Sequence, residues 1–198
     1  MPEVLTQRSD GPILLAPFAR STPVRLDGTS KPMITSAQIS RRVHAMGREI
    51  SRVYADLETP LVLVVILKGA TVFAADLLRS LSIPAELEFV RAASYGSGTT
   101  RGELRLAHMI DGPLVDRHVL LVEDIVDSGH TVEAITRRVR RMKPGSLRLA
   151  ALLDRPARRA VKVNIDFKGF VIPDRFVIGY GLDYAGLYRE LPGIYSLG

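Results

Sequence analysis

Residues 119–131 read VLLVEDIVDSGHT, and this segment predicts both the fold and the position of its site. Four apolar residues lead into the adjacent acids Glu123 and Asp124, and a third acid follows at Asp127. Such a run is typical of a buried parallel strand that ends at the sheet edge where α/β proteins bind ligands. The turn at residues 128–131 can direct backbone N–H groups at a phosphate, at the start of a helix.

The three acids of this segment lie within five residues, so they repel one another unless a cation or hydrogen-bond donors lie nearby. The alternative interpretation is an acidic strand end that caps a helix, but one acid would suffice for that. We therefore favour a ligand with hydroxyls, a phosphate and a metal ion.

The rest of the chain predicts alternating strands and helices around a parallel sheet. Thr35 and Gln38 have the spacing of a capping box before an amphipathic helix, which Pro60 ends. The chain then predicts helices at about 71–81 and 130–142, and strands at 61–67, 147–153, 161–163 and 176–179. Alternating residues around Leu87 and Leu104 predict two antiparallel strands joined by the Gly-rich loop 94–102.

The composition is that of a globular domain, with 198 residues, 46% hydrophobic and 24% charged. The chain has no cysteine, which excludes disulfides and thiolate metal sites. No apolar run approaches the roughly 20 residues of a membrane span. Residues 12–19 make a poor signal peptide because they contain two prolines and follow acidic residues. We expect a cytoplasmic protein that does not enter a membrane.

The N-terminal residues 1–34 contain five prolines and no clear periodicity. They predict an extended or partly disordered arm before a single domain at 35–198. Within the arm, the sequence PILLAPF at 12–18 would be a costly exposed patch on a monomer. We expect it to lie on its own or a neighbouring subunit; the alternative is a disordered tail with a few apolar residues.

The net charge of +6 and the pI of about 9.9 suit anionic ligands, and would also suit nucleic acid. The densest basic cluster is RRVRR at 137–141. No aromatic residues interleave these arginines, as single-strand binding would require. Cations are also favourable near a helix C-terminus, so we interpret the cluster as a solvated helix face and consider nucleic acid an unlikely partner.

Four further segments join the acidic one in a recognisable order: LKGA at 67–70, SYG at 94–96, FV at 176–177 with GLDY at 181–184, and YREL at 188–191. Together they resemble the phosphoribosyl pyrophosphate (PRPP) signature of the type I phosphoribosyltransferases, over about residues 35–195. Because it has an acid at position 127, the chain resembles the hypoxanthine-guanine branch of that family. The resemblance implies a parallel-sheet core flanked by helices, with a small hood from terminal segments.

The resemblance also implies an activity in purine salvage. The 5-phosphoribosyl group of PRPP would pass to hypoxanthine or guanine, giving IMP or GMP and pyrophosphate. The implied partners are a purine base, PRPP and further copies of the chain in a homodimer or homotetramer. Two other interpretations use the same scaffold: an RNA-binding regulator, and a catalytically silent relative.

Within the acidic segment, Asp127 is the candidate catalytic residue because a carboxylate beside a purine nitrogen can take its proton. Hard oxygen ligands and absent thiols favour Mg²⁺, and the implied metal ligands are Glu123, Asp124 and Asp183. The residues implied to bind PRPP and its phosphate are Glu123, Asp124, Asp127, Ser128, Gly129, His130 and Thr131.

Pyrophosphate binding is implied for Lys68, Gly69 and Arg189, with a cis peptide bond before the lysine. By residue type alone, Lys68 could be a surface residue and Arg189 could pair with Glu190 or another surface acid. Ser94 and Tyr95 are implied to belong to a lid that excludes water from the reacting centre.

The purine is implied to contact Arg155, Phe176, Val177 and Asp183. Judged alone, an aromatic such as Phe176 is more often part of a core. Arg155 is a departure, because the family usually has a lysine there that donates to the 6-oxo group. Arginine can also donate, but it is bulkier and planar, which affects base preference more than reaction class.

Overall fold

The structure is a computed structural model that describes residues 31–94, 104–107, 110 and 113–197. Residues 1–30, which hold most of the predicted arm, lie outside the described residues. So does Tyr95 of the predicted lid, whereas Ser94 is the last residue of a strand.

Strands and helices alternate along the chain, as the sequence predicts. Their bounds, in chain order, are α1 Ser36–Val53, β1 Leu61–Leu67, α2 Thr71–Ser80, β2 Ala85–Ser94, β3 Leu104–Ala107, β4 His118–Val126, α3 His130–Arg140, β5 Ser146–Asp154, a 3₁₀ turn Pro156–Arg158, β6 Phe167–Val171, β7 Phe176–Ile178 and β8 Tyr195–Leu197.

Six strands form one sheet in the order β3-β2-β1-β4-β5-β6. Five of them are parallel, and β3 pairs antiparallel with β2 at the edge. The predicted fold class is therefore confirmed. Strand β1 and residues 119–122 of β4 are continuous apolar runs because both faces of the sheet are covered: α1 and α2 pack on one face and α3 on the other.

The capping box of α1 is present as predicted. The hydroxyl of Thr35 accepts from the N–H of Gln38 at 3.3 Å, and the Gln38 side chain accepts from the N–H of Thr35 at 2.9 Å. The buried face of the helix carries Ile39, Val43, Met46 and Ile50. The amphipathic spacing thus anchors α1 on the sheet.

A small hood lies apart from the main sheet. It contains the antiparallel pair β7 and β8, together with a bridge between Ile34 and Ile194. Ile34 is buried, so at least this residue of the predicted arm segment packs against the domain. The hood therefore joins residues from near both ends of the described chain.

The prediction of a strand at residues 161–163 is wrong. These residues are an irregular connection, and the edge strand β6 forms later, at Phe167–Val171. The side chains of Val161 and Val163 instead lie against Gly129, with their Cγ2 atoms 3.0 and 2.7 Å from the place of a Cβ there. Their apolar alternation reflects packing behind the turn, and the same spacing would serve a strand.

Among the helices of the described ranges, none has the length and apolarity to cross a membrane.

Candidate active site

The carboxyl ends of β1, β4 and β5 and the start of the hood surround one cavity of about 350 Å³. Most residues that the sequence assigned to the site line it: Lys68, Gly69, Glu123, Asp124, Asp127, Thr131, Arg155, Phe176, Val177, Asp183 and Arg189. Ser128 and Gly129 form the adjoining turn, and His130 begins α3. A cavity at this edge is the expected ligand site of an open parallel sheet.

The loop after β1 approaches the acids of β4 very closely. The peptide bond between Leu67 and Lys68 is cis, as the resemblance implies. A Cβ at Gly69 would lie 1.5 Å from Oδ2 of Asp124, so any side chain there would have to displace the Asp124 carboxylate. The Thr71 hydroxyl donates to the Lys68 carbonyl at 2.7 Å and closes the loop. Lys68 itself is exposed at the cavity.

Glu123 and Asp124, at the end of β4, lie where ionisation of a carboxyl group is unfavourable. Glu123 is only 7% exposed, and its Oε2 has no hydrogen-bond partner among the described residues. Burial, with the charges of Asp124 and Asp127, raises the pKa of Glu123 well above its usual range. Burial also raises the pKa of Asp124 to about 6. The repulsion inferred from the sequence is thus present, and a cation at the cavity would relieve it.

The acids predicted to bind metal do not converge on one point. Within the described ranges, no three His, Cys, Asp or Glu side chains are grouped closely enough to hold an ion by themselves. Asp183 pairs instead with Arg189 at 2.6 Å and accepts from the N–H of Gly186 at 2.8 Å. Mg²⁺ usually takes one or two carboxylates and completes its shell with water and substrate phosphates, which this arrangement allows.

Asp127 and Arg155 form a two-pronged ion pair, which the sequence did not indicate. Nε and Nη2 of Arg155 donate to the two carboxylate oxygens of Asp127, and Nη1 donates to the carbonyl of Arg175. Arg155 is 5% exposed, and its hydrogen bond with Asp127 raises the pKa of the guanidinium. The parallel register pairs Val126 with Asp154, so the next residue of each strand end meets the other.

Phe176 is not a core residue, so the alternative drawn from its residue type is wrong. Its ring is 45% exposed at the cavity and meets the ring of Tyr184 edge-on, with 5.7 Å between centroids. The next residue, Val177, is buried. Tyr184 belongs to the segment that carried the resemblance, but sequence reasoning gave it no role.

Arg189 reaches back into the hood. It donates to the carbonyl of Gly181 at 2.5 Å and pairs with Asp183, whereas its predicted alternative partner was Glu190 or another surface acid. A Cβ at Gly181 would lie 2.2 Å from the carbonyl oxygen of Gly69. The hood and the Lys68 loop therefore meet across the cavity.

Sequence reasoning also missed a buried charge cluster beneath the site. Asp154, at the end of β5, is 5% exposed and pairs with Arg159 at 2.5 Å and Lys168 at 2.6 Å. The available signal was an acid placed directly after an apolar strand, followed by RPARR at 155–159. Buried charges are seldom found unpaired, so such an acid should have prompted a search for partners.

These features define a class of protein: an α/β domain that binds an anionic, phosphate-bearing ligand at the carboxyl edge of its sheet. The model of the phosphoribosyl transferase domain matches residues 36–185. The chain therefore belongs to the phosphoribosyltransferase family, and it is an enzyme of that class. The family expected from the sequence is confirmed.

Individual relatives agree with this assignment. The hypoxanthine phosphoribosyltransferase of Salmonella typhimurium is 43% identical over 165 residues, covering 83% of this chain and 93% of that protein. A solved hypoxanthine-guanine phosphoribosyltransferase from Bacillus anthracis is 37% identical with a TM-score of 0.79, covering 85% of this chain and 98% of that one. A solved hypoxanthine phosphoribosyltransferase from Trypanosoma cruzi, in a ternary complex with substrates, is 36% identical with a TM-score of 0.80, covering 85% and 95%. The two non-enzymatic interpretations are not favoured.

The raised pKa of Asp124 predicts a pH-dependent stability effect. The pKa of Asp124 is about 6 in the folded state and about 3.9 in the unfolded state. Asp124 therefore does not lower the free energy of unfolding below pH 4, where it is protonated in both states, and lowers it fully above pH 6, where it is ionised in both. A difference of about two pKa units corresponds to at most about 3 kcal/mol, and solvent screening reduces it because Asp124 is partly exposed. We therefore expect Asp124→Asn to stabilise the substrate-free protein by roughly 1–2 kcal/mol at pH 7.5, and to change stability little near pH 4. Urea unfolding at both pH values measures this.

Asp56→Asn is the matched control, because Asp56 is exposed on the surface. Equal unfolding free energies for wild type and Asp124→Asn at pH 7.5 would contradict the assigned burial cost.

Proposed function

We propose that this enzyme transfers the 5-phosphoribosyl group of PRPP to hypoxanthine or guanine, in purine salvage. One observation carries the proposal: a single cavity combines the acids of β4, the adjoining turn, the cations Lys68 and Arg189, and a half-exposed aromatic ring beside Asp127 and Arg155. Each part suits one part of the two substrates.

PRPP would lie along the acidic strand end. The 5-phosphate meets the N–H groups of the turn 128–131 at the start of α3, where the helix dipole also favours an anion. The ribose hydroxyls meet Glu123 and Asp124. The pyrophosphate meets Lys68 and Arg189, whose charges stabilise it as it leaves.

The purine would lie on Phe176, with the backbone of Val177 at its edge. A guanidinium has five N–H donors, of which three are engaged with Asp127 and the Arg175 carbonyl. The remaining donors of Arg155 can reach the 6-oxo group. Asp127 accepts the proton of the purine nitrogen as the base attacks C1′ of the ribose. The lid predicted around Ser94 and Tyr95 would keep water from that centre.

A magnesium ion fits the donor set. Because Glu123, Asp124 and Asp183 do not converge on one point, we assign one or two of them as direct ligands, with water and diphosphate oxygens completing the shell. The unpartnered Oε2 of Glu123 supports its place among these ligands. When bound, the ion neutralises charge on the leaving pyrophosphate. The protein's own residues bind both substrates, orient them and take the proton.

We propose a homodimer or homotetramer in the cytoplasm, with residues 35–198 as a single domain. The apolar residues Leu87 and Phe89 are 38% and 39% exposed and, two positions apart on β2, share one face of the strand, which we propose as part of a subunit interface. In the Trypanosoma cruzi hypoxanthine phosphoribosyltransferase, the C-terminal region has a role in the oligomeric state and enzymatic activity. The absence of cysteine agrees with a reducing compartment.

Nucleotide formation from PRPP tests the activity. We expect product with hypoxanthine or guanine and little with adenine, uracil or orotate. We expect the rate to vanish in EDTA and to return with Mg²⁺, because Glu123 and Asp124 and a diphosphate repel one another without a cation. No product with any base would refute the proposed function, and full activity after exhaustive chelation would refute the metal requirement alone.

Asp127→Asn should lower turnover by roughly 10²-fold or more, because general-base contributions are about 10²–10⁴. PRPP binding should persist, since the turn and the cations remain. Steady-state kinetics and calorimetry of PRPP binding separate the two effects. Asp174→Asn serves as the control, since that acid pairs with exposed Arg158 on the surface. Wild-type turnover in Asp127→Asn would remove the catalytic assignment.

Arg155→Ala should raise KM for hypoxanthine and guanine, because losing a charged hydrogen bond to a buried acceptor is worth roughly 1.5–3 kcal/mol. PRPP affinity should stay nearly intact. Arg155→Lys should retain or improve the use of 6-oxopurines. The control is Arg158→Ala, three residues after Arg155 at the end of the exposed 3₁₀ turn. Unchanged base kinetics in Arg155→Ala would show that another residue reads the base.

Light scattering tests the assembly. We expect the mass of a dimer or tetramer at micromolar concentration, and a lower mass or melting temperature after removal of residues 1–30, because their apolar segment would cover a subunit surface. A monomeric mass for the full chain would contradict the oligomer. An oligomer unaffected by the truncation would contradict only the role of the arm.

A further inference from the structure

The phosphate turn is held from behind by the connection that follows β5, residues 155–163. The carbonyl of Val126 accepts from the N–H of Arg155 at 3.1 Å and from Nη2 of Arg159 at 3.0 Å. The carbonyl of Asp127 accepts from Nε of Arg159 at 2.8 Å. One guanidinium therefore holds two successive carbonyls at the point where β4 becomes the turn.

The next carbonyl of the turn is held by the same connection. Ser128 accepts from the N–H groups of Ala160 and Val161 at 3.0 and 3.1 Å. Gly129 follows with φ of +87°, and a Cβ there would lie 2.7 Å from Cγ2 of Val163. The back of the turn is thus in direct contact with the connection, with no space for a side chain at Gly129.

Peptide geometry converts these contacts into an orientation of the turn. In a trans peptide the C=O and the following N–H point in opposite directions. Among the described residues the only cis bond lies between Leu67 and Lys68, so the turn is trans throughout. Holding the carbonyls of residues 126, 127 and 128 toward the connection points the N–H groups of Asp127, Ser128 and Gly129 away from it. Successive N–H groups aimed in one direction form an anion-binding nest.

The guanidinium that does this is itself fixed. Arg159 pairs with Asp154, whose other carboxylate oxygen takes the ammonium of Lys168 at 2.6 Å. Asp154 is the last residue of β5, so its position is set by the sheet. Arg159 does not line the cavity. Its contacts with the site therefore run through the backbone carbonyls of Val126 and Asp127.

We propose that Arg159 is a positioning residue for the 5-phosphate of PRPP. It orients the N–H groups of the phosphate turn through the carbonyls of Val126 and Asp127, and Asp154 holds it in place. This inference rests on the proposed use of PRPP. The competing explanation is that Arg159 only neutralises Asp154, which would give it a part in stability and none in binding.

Arg159→Lys separates the two explanations. Lysine keeps a positive charge beside Asp154, but its single ammonium cannot reproduce the planar fork that engages two carbonyls. We expect Arg159→Lys to melt close to wild type and yet to bind ribose 5-phosphate roughly tenfold or more weakly, as the loss of charged hydrogen bonds implies. The KM for PRPP should rise in parallel. The KM for hypoxanthine should change by less than about threefold.

Binding of ribose 5-phosphate is measured by calorimetry on the full chain, because it needs no turnover. Arg158→Ala is the matched control: this arginine is adjacent, exposed, and paired with Asp174 at 2.5 Å. It should leave the affinity and both KM values unchanged. Arg159→Ala should lose affinity as well as melting temperature, and if it does not fold, Arg159→Lys alone decides.

Wild-type affinity for ribose 5-phosphate in Arg159→Lys, with an unchanged KM for PRPP, would overturn the positioning role and leave the proposed function standing. An equal rise in the KM for both substrates would also overturn it, because the effect would then not be specific to the phosphate. A wild-type enzyme that forms no nucleotide from PRPP would instead sink the proposed function.

Discussion

Mutual repulsion among the carboxylates at the end of β4 is the constraint on which the rest of the site depends. Glu123 is buried and its neighbour Asp124 is partly exposed; the pKa values of both are raised, and Asp127 adds a third charge. The neighbouring elements answer this charge in different ways. The loop after β1 brings Lys68 to the rim, and Arg155, the residue directly after β5, neutralises Asp127. The remaining negative charge of these carboxylates is uncompensated, and it faces the part of the cavity where a cation and a diphosphate would bind.

Charge compensation also ties the site to the outer elements. Lys168 on β6 balances Asp154, and its carbonyl accepts from Nε and Nη2 of Arg42 on α1 at 3.0 and 2.6 Å. Arg42 in turn pairs with Glu49 of the same helix, which lowers the pKa of that acid. A line of polar contacts thus runs from α1 through two strands to the back of the phosphate turn. Such partly buried networks restrict each member to one arrangement, which favours a preformed site.

The sequence alone was enough to predict the central strands, because continuous apolar runs such as β1 occur where both sheet faces are covered. The sequence also identified most of the residues that line the cavity, because they follow strands that end at one edge of the sheet. It misassigned residues 161–163 because alternating valines pack equally well against a turn. It did not show the pairing of Arg155 with Asp127, which depends on the register between β4 and β5. Nor could spacing reveal that Asp183 pairs with Arg189.

In its proposed role of reading the base, Arg155 is already engaged before any base arrives, and this bears on the selectivity between bases. With both prongs on Asp127 and a third contact to a backbone carbonyl, the guanidinium plane is fixed in advance, so little side-chain entropy is lost on binding. The remaining N–H groups of Arg155 can only donate hydrogen bonds, because a guanidinium has no acceptor at physiological pH. A purine that carries an amino group in place of the 6-oxo group would place its own N–H donors against the N–H donors of Arg155. Discrimination between oxo and amino purines would then come from an unfavourable contact with the wrong base as much as from a favourable one with the right base.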